Sequence, residues 1–507
     1  MEAWFIILVS IGSVMLIRAI ISLFTPSSFT NNTKTPPGPS SIPIITSFTW
    51  LFKSIEEIEL ILPNLVAKYG PIITIRIASR PSIFIADHSL AHHALIQNGQ
   101  VFSDRPNSPA TGKIISSNQR NISSAAYGDT WRTLRRNLTS EILHNSRVKS
   151  FSGIRHSVLQ TLLTRLKSDS NSNHSVKVID HIHYAMFCLL VFMCFGERVT
   201  DEKIADIERV MRQLLLGLNR FQILNLWPKI TRILFHQRWE DLLRVRKEQE
   251  EVLVPLIRAR KQVKEGGTDD DFVLSYVDTL LELQLPEEKE KRKLTEGEIV
   301  TLCTEFLSAG TDTTSTSLEW ILANLVKNPH VQERLVEEIK EVLGEREDKE
   351  VKEEDLQNMP YLKAVILEGL RRHPPGHFVL PHTVTKDVVL NDYLIPKNGT
   401  VNFMVAEMGR DPKIWEDPMA FKPERFLNDE QFDITGSKGI KMMPFGVGRR
   451  ICPAYNLAML HLEYFVANLI WNLEWKVPEG GHVDLSEKPE FTVVMKNALQ
   501  AHLSPRV

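Results

Sequence analysis

Residues 444–454 read Pro444-Phe445-Gly446-Val447-Gly448-Arg449-Arg450-Ile451-Cys452-Pro453-Ala454, and the rest of the chain is organised around them. Two glycines just upstream of one of only four cysteines supply the positive φ angles of a tight loop and leave room for a flat group against the backbone. Two arginines beside them are placed to meet an anion. The apolar run that follows, residues 457–471, has roughly helical spacing. The loop therefore presents a sulfur at the N-terminal end of a helix, where free N–H groups and partial positive charge favour a thiolate. A lone thiolate beside arginines suggests an iron ligand for a cofactor that carries its own carboxylates.

The 507 residues are 43% apolar and 24% charged, the composition of a globular protein with a sizeable core. A net charge of -2 argues against a general nucleic-acid binder. Cys188, Cys194, Cys303 and Cys452 form no dense framework and no zinc-type spacing, which suits a reducing compartment. Residues 4–24 are apolar apart from Arg18 and a few Ser or Gly, and a bilayer span takes roughly 20 residues. The start, Met-Glu-Ala-Trp, lacks the basic residues of a cleaved signal peptide, so a retained anchor is expected. Arg18 and Lys34 follow the apolar core of this stretch and nothing basic precedes it, which puts the bulk of the chain in the cytosol and leaves the sequons at Asn31, Asn121, Asn137, Asn173 and Asn398 silent. Residues 25–43, centred on Pro36-Pro37-Gly38-Pro39, read as a stiff spacer.

Further on, Ile73, Ile75 and Ile77 alternate with Thr74 and Arg76, and a second run at 82–86 completes an expected β-hairpin. Asp87 is a candidate cap for the next helix. Residues 102–127, rich in Ser, Asn, Pro and Gly, read as a long loop of the kind that carries function. Trp131 and Arg135 share a helix face, so an indole N–H and a guanidinium could serve one carboxylate. Residues 150–260 have mostly helical patterning, and the charged run PEEKEKRK at 286–293 reads as a solvated loop. Thr295 and Glu298 form a capping box for a helix reaching about Lys327, which is roughly 48 Å long. Its middle, Ala309-Gly310-Thr311-Asp312-Thr313-Thr314, combines small residues that admit a planar group with poor helix formers, which a helix accepts where they serve a site. Glu368 and Arg371 share a face of another helix, ended by Pro374-Pro375. Residues 491–495 alternate like a strand.

The glycine–cysteine stretch resembles the haem-binding loop of the cytochromes P450, Phe-x-x-Gly-x-Arg-x-Cys-x-Gly: Phe445, Gly448, Arg450 and Cys452 match, while Ala454 replaces the last glycine. Four further motifs agree in order. Trp131 and Arg135 resemble the family's propionate-binding Trp-x-x-x-Arg, and Ala309 to Thr313 its oxygen-side helix. Glu368 and Arg371 resemble its Glu-x-x-Arg pair. Phe421-Lys422-Pro423-Glu424-Arg425-Phe426 resembles the segment that adds a second arginine, Arg425. His382, after Pro381, stands where the family places an Arg or His on a propionate. Residues 460–468 look most like plant microsomal (A-type) P450s, family 89 in particular.

This resemblance implies a mainly α fold with small β-sheets (α+β) and an N-terminal transmembrane helix. It divides the chain into an anchor (1–24), a proline-rich hinge (25–43) and a haem-thiolate catalytic domain (44–507). Haem b would be ligated by Cys452 and contacted by Trp131, Arg135, Ala309, Gly310, His382, Phe445, Gly448 and Arg450. Thr313 would be the oxygen-side alcohol and Asp312 its proton supplier, while Glu368, Arg371 and Arg425 form a structural network. The apolar stretches 214–216 and 221–234, within the helical region 150–260, would form a mobile lid, and 376–380 and 491–495 would point into the pocket. The activity implied is a monooxygenase acting on O2 and a lipophilic small molecule. Because the chain shows no Gly-x-Gly-x-x-Gly nucleotide site, NADPH would enter only through a separate NADPH–cytochrome P450 reductase. The location implied is the endoplasmic reticulum membrane, single-pass, with the catalytic domain facing the cytosol. Two alternatives remain at this point. One is a reductase-independent haem-thiolate peroxide isomerase or dehydratase, against which Asp312-Thr313 speaks; the other is a non-catalytic haem-binding relative, for which Ala454 is the local hint.

Overall fold

The computed structural model describes residues 7, 9–18, 34–39, 55–77, 80–172, 175–196, 199–266, 273–286, 291–346, 350–427 and 432–506. Within the expected anchor, Val9–Arg18 is a short apolar helix with exposed Val9, Ile11, Val14 and Leu16; the remainder of residues 4–24 lies mostly outside the described residues, as does much of 25–43. The main helices are α1 (Ile55–Tyr69), α2 (Asp129–Asn137), α3 (Ser152–Ser172), α4 (Val178–Phe195), α5 (Asp201–Phe221), α6 (His236–Glu265), α7 (Glu296–Lys327), α8 (Pro329–Leu343), α9 (Pro360–Arg372) and α10 (Tyr455–Asn472). The strands used below are β1 (Ile72–Ile77), β2 (Arg80–Ile85), β3 (Val176–Lys177), β4 (His382–Thr383), β5 (Thr400–Phe403), β6 (Leu473–Lys476), β7 (Val493–Met495) and β8 (Gln500–Pro505).

α7 is the axis of the fold. Its expected capping box is present: the Glu298 N–H donates to Thr295 Oγ1 (3.2 Å) and the Thr295 N–H to Glu298 Oε2 (2.9 Å). Both Glu298 oxygens also accept from Arg292, at 2.7 and 2.6 Å, which pins the preceding segment. That segment differs from the expected loop. Gln284 and Leu285 pair with Lys293 and Arg292 as a short ribbon, with residues 287–290 outside the described set. Leu159 of α3, Leu189 of α4, Leu302 and Trp320 of α7, Ile366 of α9 and Phe465 of α10 are fully buried in one apolar core. Full burial of each aliphatic side chain contributes about 1.5–3 kcal/mol. α4 is long and apolar enough to cross a membrane, but it packs in this core.

The expected hairpin forms as β1 and β2, with Ile73 opposite Phe84. β2 pairs in parallel with β5, and β4 completes the sheet in the order β1-β2-β5-β4. The sheet is covered on both faces. Ile73 and Ile75 pack with Leu62 of α1, while Ile72 packs on the other side with Leu95, Phe403 and Val447. A second sheet, β6-β8-β3, ties the C-terminus to the start of α4. Asp87 caps as expected, accepting from the Leu90 N–H at 2.8 Å. The proline run is docked on the sheet rather than held away from it. The Thr74 N–H donates to the Pro37 carbonyl (2.8 Å) and the Leu394 N–H to the Lys34 carbonyl (3.0 Å). A Cβ at Gly38 would stand 1.9 Å from the Thr74 oxygen, so only glycine permits that approach.

The loop 102–127 contains a short helix, Ala110–Ile115, that sequence reading did not anticipate. Its Ala110, Ile114 and Ile115 join Phe221, Leu224, Trp239 and Leu242 in an apolar cluster separate from the main core. Residues 221–242 therefore share a small core with this helix, while Ile204, Ile207 and Met211 pack in the main core.

Candidate active site

Gly446 and Gly448 both have positive φ, +65° and +73°. Gly448 is constrained twice, because a Cβ there would lie 2.2 Å from the Leu95 carbonyl oxygen. The loop closes through the Cys452 N–H, which donates to the Phe445 carbonyl at 2.8 Å. Cys452 precedes α10, and the Ala454 N–H points at its sulfur. Burial pushes the thiol up, and neither that hydrogen bond nor the nearby Arg135 guanidinium compensates. The helix end alone thus does not make the thiolate, contrary to the sequence expectation; a bound metal would displace the proton. Ala454 sits at φ -102° and ψ 20°, where an L-residue is unstrained, so the backbone here does not require the missing glycine.

Around the loop stands a cluster of cations braced by carbonyls. Arg450 donates to the carbonyls of Ser103 (2.8 Å), Ala125 (2.7 Å) and Ile122 (3.3 Å), and its guanidinium lies 4.4 Å from the Trp131 ring centre. Arg135 donates to the Ile451 carbonyl at 2.5 Å. Arg105 donates to Ser123 (2.8 Å), Leu380 (2.7 Å) and Pro381 (2.8 Å) carbonyls. Among the described residues none of these three guanidiniums has a carboxylate within ion-pair distance. Burial, and for Arg450 repulsion from Arg105, lowers their proton affinity, to about 10 for Arg105 and about 9 for Arg450. The Trp131 Nε1–H is buried without an acceptor. An anion is what this cluster lacks. Arg105 was missed by sequence reading, since a single arginine in a polar loop gives no periodic or motif signal.

His382 belongs to the same cluster but carries no charge. Burial and the neighbouring Arg105 push it down to about 3, so the ring is neutral, and its Nδ1 lies 2.6 Å from the Phe102 carbonyl that accepts from it. The carbonyl takes the one ring proton, so His382 positions the 102–105 segment, and Arg105 supplies the charge.

On α7, burial is interrupted where chemistry is expected. Leu307 and Thr314 are buried, but Ala309 is exposed and Asp312 and Thr313 are half-buried, so this stretch keeps accessible surface in the middle of an otherwise buried helix. The Thr313 hydroxyl donates to the Ala309 carbonyl at 2.6 Å, and Ser317 to the Thr313 carbonyl at 2.9 Å. Such bonds to the preceding turn let the helix tolerate these residues. At Gly310 a Cβ would meet Leu190 Cδ1 at 2.5 Å, so this glycine permits the close packing of α4 on α7. Asp312 Oδ1 faces His183 Nε2 of α4 at 3.4 Å. Glu305, one turn and more upstream, accepts from the N–H groups of Ile122 (2.8 Å) and Ser123 (2.6 Å), and so holds the carbonyls that brace Arg450 and Arg105.

The Glu368–Arg371–Arg425 network is assembled as expected. Arg371 donates to both Glu368 oxygens (2.7 and 2.8 Å), and Arg425 Nε to Glu368 at 3.2 Å. The Lys422 N–H adds a fourth bond at 2.8 Å.

Among the described residues, half-buried arginines without carboxylates and a buried indole N–H without an acceptor ask for a cofactor bearing carboxylates, and a lone cysteine in a glycine loop asks for its metal. The residues present fit both demands of a haem, which places the molecule among the haem-thiolate proteins. The chain belongs to the cytochrome P450 family, whose model matches residues 36–503. It is 51% identical to cytochrome P450 89A9 of Arabidopsis thaliana, over 94% of this chain and 95% of that protein. It is also 31% identical to an isoflavone 3'-hydroxylase of Medicago truncatula, over 92% and 91% of the two chains. A zebrafish cytochrome P450 solved with progesterone shares the fold, with TM-score 0.73 and 22% identity over 88% of this chain and 99% of that one. The protein is thus a haem b monooxygenase of the plant P450 type.

Proposed function

We propose that this monooxygenase inserts one oxygen atom into a lipophilic small molecule, with electrons from a separate NADPH–cytochrome P450 reductase. The observation that carries the reading is the carbonyl-braced arginine cluster with the orphaned Trp131 N–H beside Cys452. Cys452 would ligate iron, with Phe445 and Gly448 shaping its loop. Trp131, Arg135, Arg450 and Arg105 would hold the carboxylates, with His382 as the brace. Ala309 would line the haem face, with Gly310 behind it. When bound, haem supplies the iron at which O2 is split between product and water. Asp312 and Thr313 would move protons on the oxygen side. Glu368, Arg371 and Arg425 hold the frame.

Arg132 and Arg449 flank Tyr127 on the exposed side of the cysteine loop, a basic surface suited to an acidic electron donor. Residues 1–24 would anchor the chain, single-pass, in the endoplasmic reticulum membrane, with 25–43 as the hinge and 44–507 as the cytosolic catalytic domain. Exposed Trp227, Ile230, Ile233 and Leu234 on the helix Pro228–Leu234, interleaved with Lys229 and Arg232, suit contact with membrane lipid. The test is reconstitution with reductase in vesicles, NADPH and 18O2, against a panel of lipophilic compounds. One labelled oxygen in a product supports the reading. Turnover of hydroperoxides without reductase, and none with it, would replace it by the isomerase or dehydratase alternative.

A further inference from the structure

His183 lies between two carboxylates. Its Nε2 is 3.4 Å from Asp312 Oδ1 on α7, and its Nδ1 is 3.3 Å from Glu208 Oε1 on α5. The ring stacks on Phe187, nearly parallel at 9°. It sits two turns before Leu190, the residue over Gly310, so the same close approach of α4 and α7 sets both contacts. All three side chains keep some exposure, 28% for His183, 31% for Glu208 and 22% for Asp312, so the chain of groups leads from α7 through α4 and α5 to solvent. The other charges nearby are Arg212 on α5 and Asp180 on α4, both felt through Glu208. Burial opposes charge on the ring, but Asp312 and Glu208 outweigh it and raise His183 to about 9, so the imidazolium is the form at neutral pH.

We propose that His183 is the proton donor to Asp312 and that Glu208 fixes its orientation, so that α4 and α5 supply protons to the Asp312–Thr313 pair. This rests on the reading of Asp312 as the proton supplier. The transfer balances without electrons. The Nε2–H bond of the imidazolium breaks and an O–H bond forms on Asp312. The ring is left neutral, with its Nδ1–H still donating to Glu208. Uncharged Asp312 loses its ion pair and is released to turn toward Thr313, and a water reprotonates Nε2. One proton enters from solvent for each one passed on. Asp312 and Thr313 would touch the reacting groups, so His183 and Glu208 are positioning and supply residues.

The test uses the full-length haem-loaded enzyme and its His183→Gln, Glu208→Gln and Asp312→Asn variants. Melting temperature against pH comes first, because it does not depend on turnover. His183 gains protons on folding, so its stabilisation is complete below about pH 6.5 and fades as pH rises through 9. The wild-type advantage over His183→Gln should be present at pH 6 and gone at pH 10. Reductase-driven, O2-dependent NADPH oxidation comes second. Asp312→Asn should slow it by about 100-fold and His183→Gln by about 10-fold, each with a larger solvent deuterium isotope effect. The wild-type rate should fall above pH 9, His183→Gln should lack that inflection, and Glu208→Gln should move it to lower pH. Wild-type rate, isotope effect and pH profile in His183→Gln, with Asp312→Asn impaired, would overturn the relay alone. An unimpaired Asp312→Asn would overturn the role of Asp312 itself. Should His183→Gln fail to fold, Glu208→Gln decides, and an unmoved inflection refutes the proposal.

Discussion

Glu368→Gln is the substitution that most sharply separates a buried charge network from an ordinary helix-surface pair. Glu368 is fully buried and accepts four hydrogen bonds, two from Arg371, one from the Lys422 N–H and one from Arg425. Glutamine keeps the volume, so no cavity arises, but it removes the negative charge and turns an amide N–H toward guanidinium N–H groups. Arg371, only 1% exposed, is left with the carbonyls of Gly409 and Ala420. An uncompensated buried charge costs about 3–5 kcal/mol, or two to nearly four powers of ten in the folding equilibrium. Lys177–Asp180 is the control: it spans a similar 2.9 Å but is 50% and 64% exposed. Lys177→Ala should cost less than about 1 kcal/mol. Urea unfolding followed by tryptophan fluorescence reads both as midpoint changes at constant slope. A Glu368→Gln midpoint within about 0.5 kcal/mol of wild type, at unchanged slope, would refute the reasoning.

Gly448→Ala should reduce haem bound per polypeptide and lower the melting temperature, because left-handed backbone costs alanine about 1–2 kcal/mol and its Cβ would displace the Leu95 carbonyl. Trp131→Phe keeps the ring but loses the orphan donor; a hydrogen bond to a charged group is worth about 1.5–3 kcal/mol, so haem transfer to apomyoglobin should accelerate about 10- to 100-fold. Glu487 receives His373 Nδ1 at 2.9 Å, lies 3.2 Å from His377 Nε2 and pairs with Arg410; burial would raise its carboxyl, but the hydrogen bonds from His373 and His377 and the charge of Arg410 hold it far below the carboxylate range. Its stabilisation is therefore present above about pH 4.3 and fades in acid. His377 is raised to about 9 by Glu487 and Glu59 against the effect of burial, so its share is complete below about pH 6.5 and fades as pH rises through 9. The melting-temperature gap between wild type and Glu487→Gln should peak between about pH 5 and 6.5 and shrink on both sides.

The features legible in the sequence were those whose cause is local. The Thr295–Glu298 box, the Asp87 cap, the β1–β2 alternation and the glycines before Cys452 each depend on residues a few positions apart, and each stands as read. The Glu368 network was legible in part, because its i, i+3 pair is local while Arg425 came only through the family resemblance. What escaped was set by long-range packing. Arg105 takes its meaning from carbonyls up to 276 positions away, and His382 loses its charge because it is buried beside Arg105 and Arg450. Gly310 turns its open side to Leu190, which no helical periodicity reveals. The link from Asp312 to His183 depends on how two helices cross. Residues 286–293 looked like a solvated run because the pairing of Arg292 and Lys293 with Leu285 and Gln284, and the grip of Arg292 on Glu298, are invisible in composition.

The central claim is that Cys452 ligates a haem whose carboxylates satisfy the arginine cluster. The most direct measurement is the difference spectrum of dithionite-reduced, carbon monoxide-treated membranes carrying the wild type and Cys452→Ser. The account predicts the far-red Soret band of a thiolate-ligated haem in the wild type and its loss in Cys452→Ser. A wild-type band at the position of a histidine-ligated haem, or no haem signal from folded protein, would contradict it.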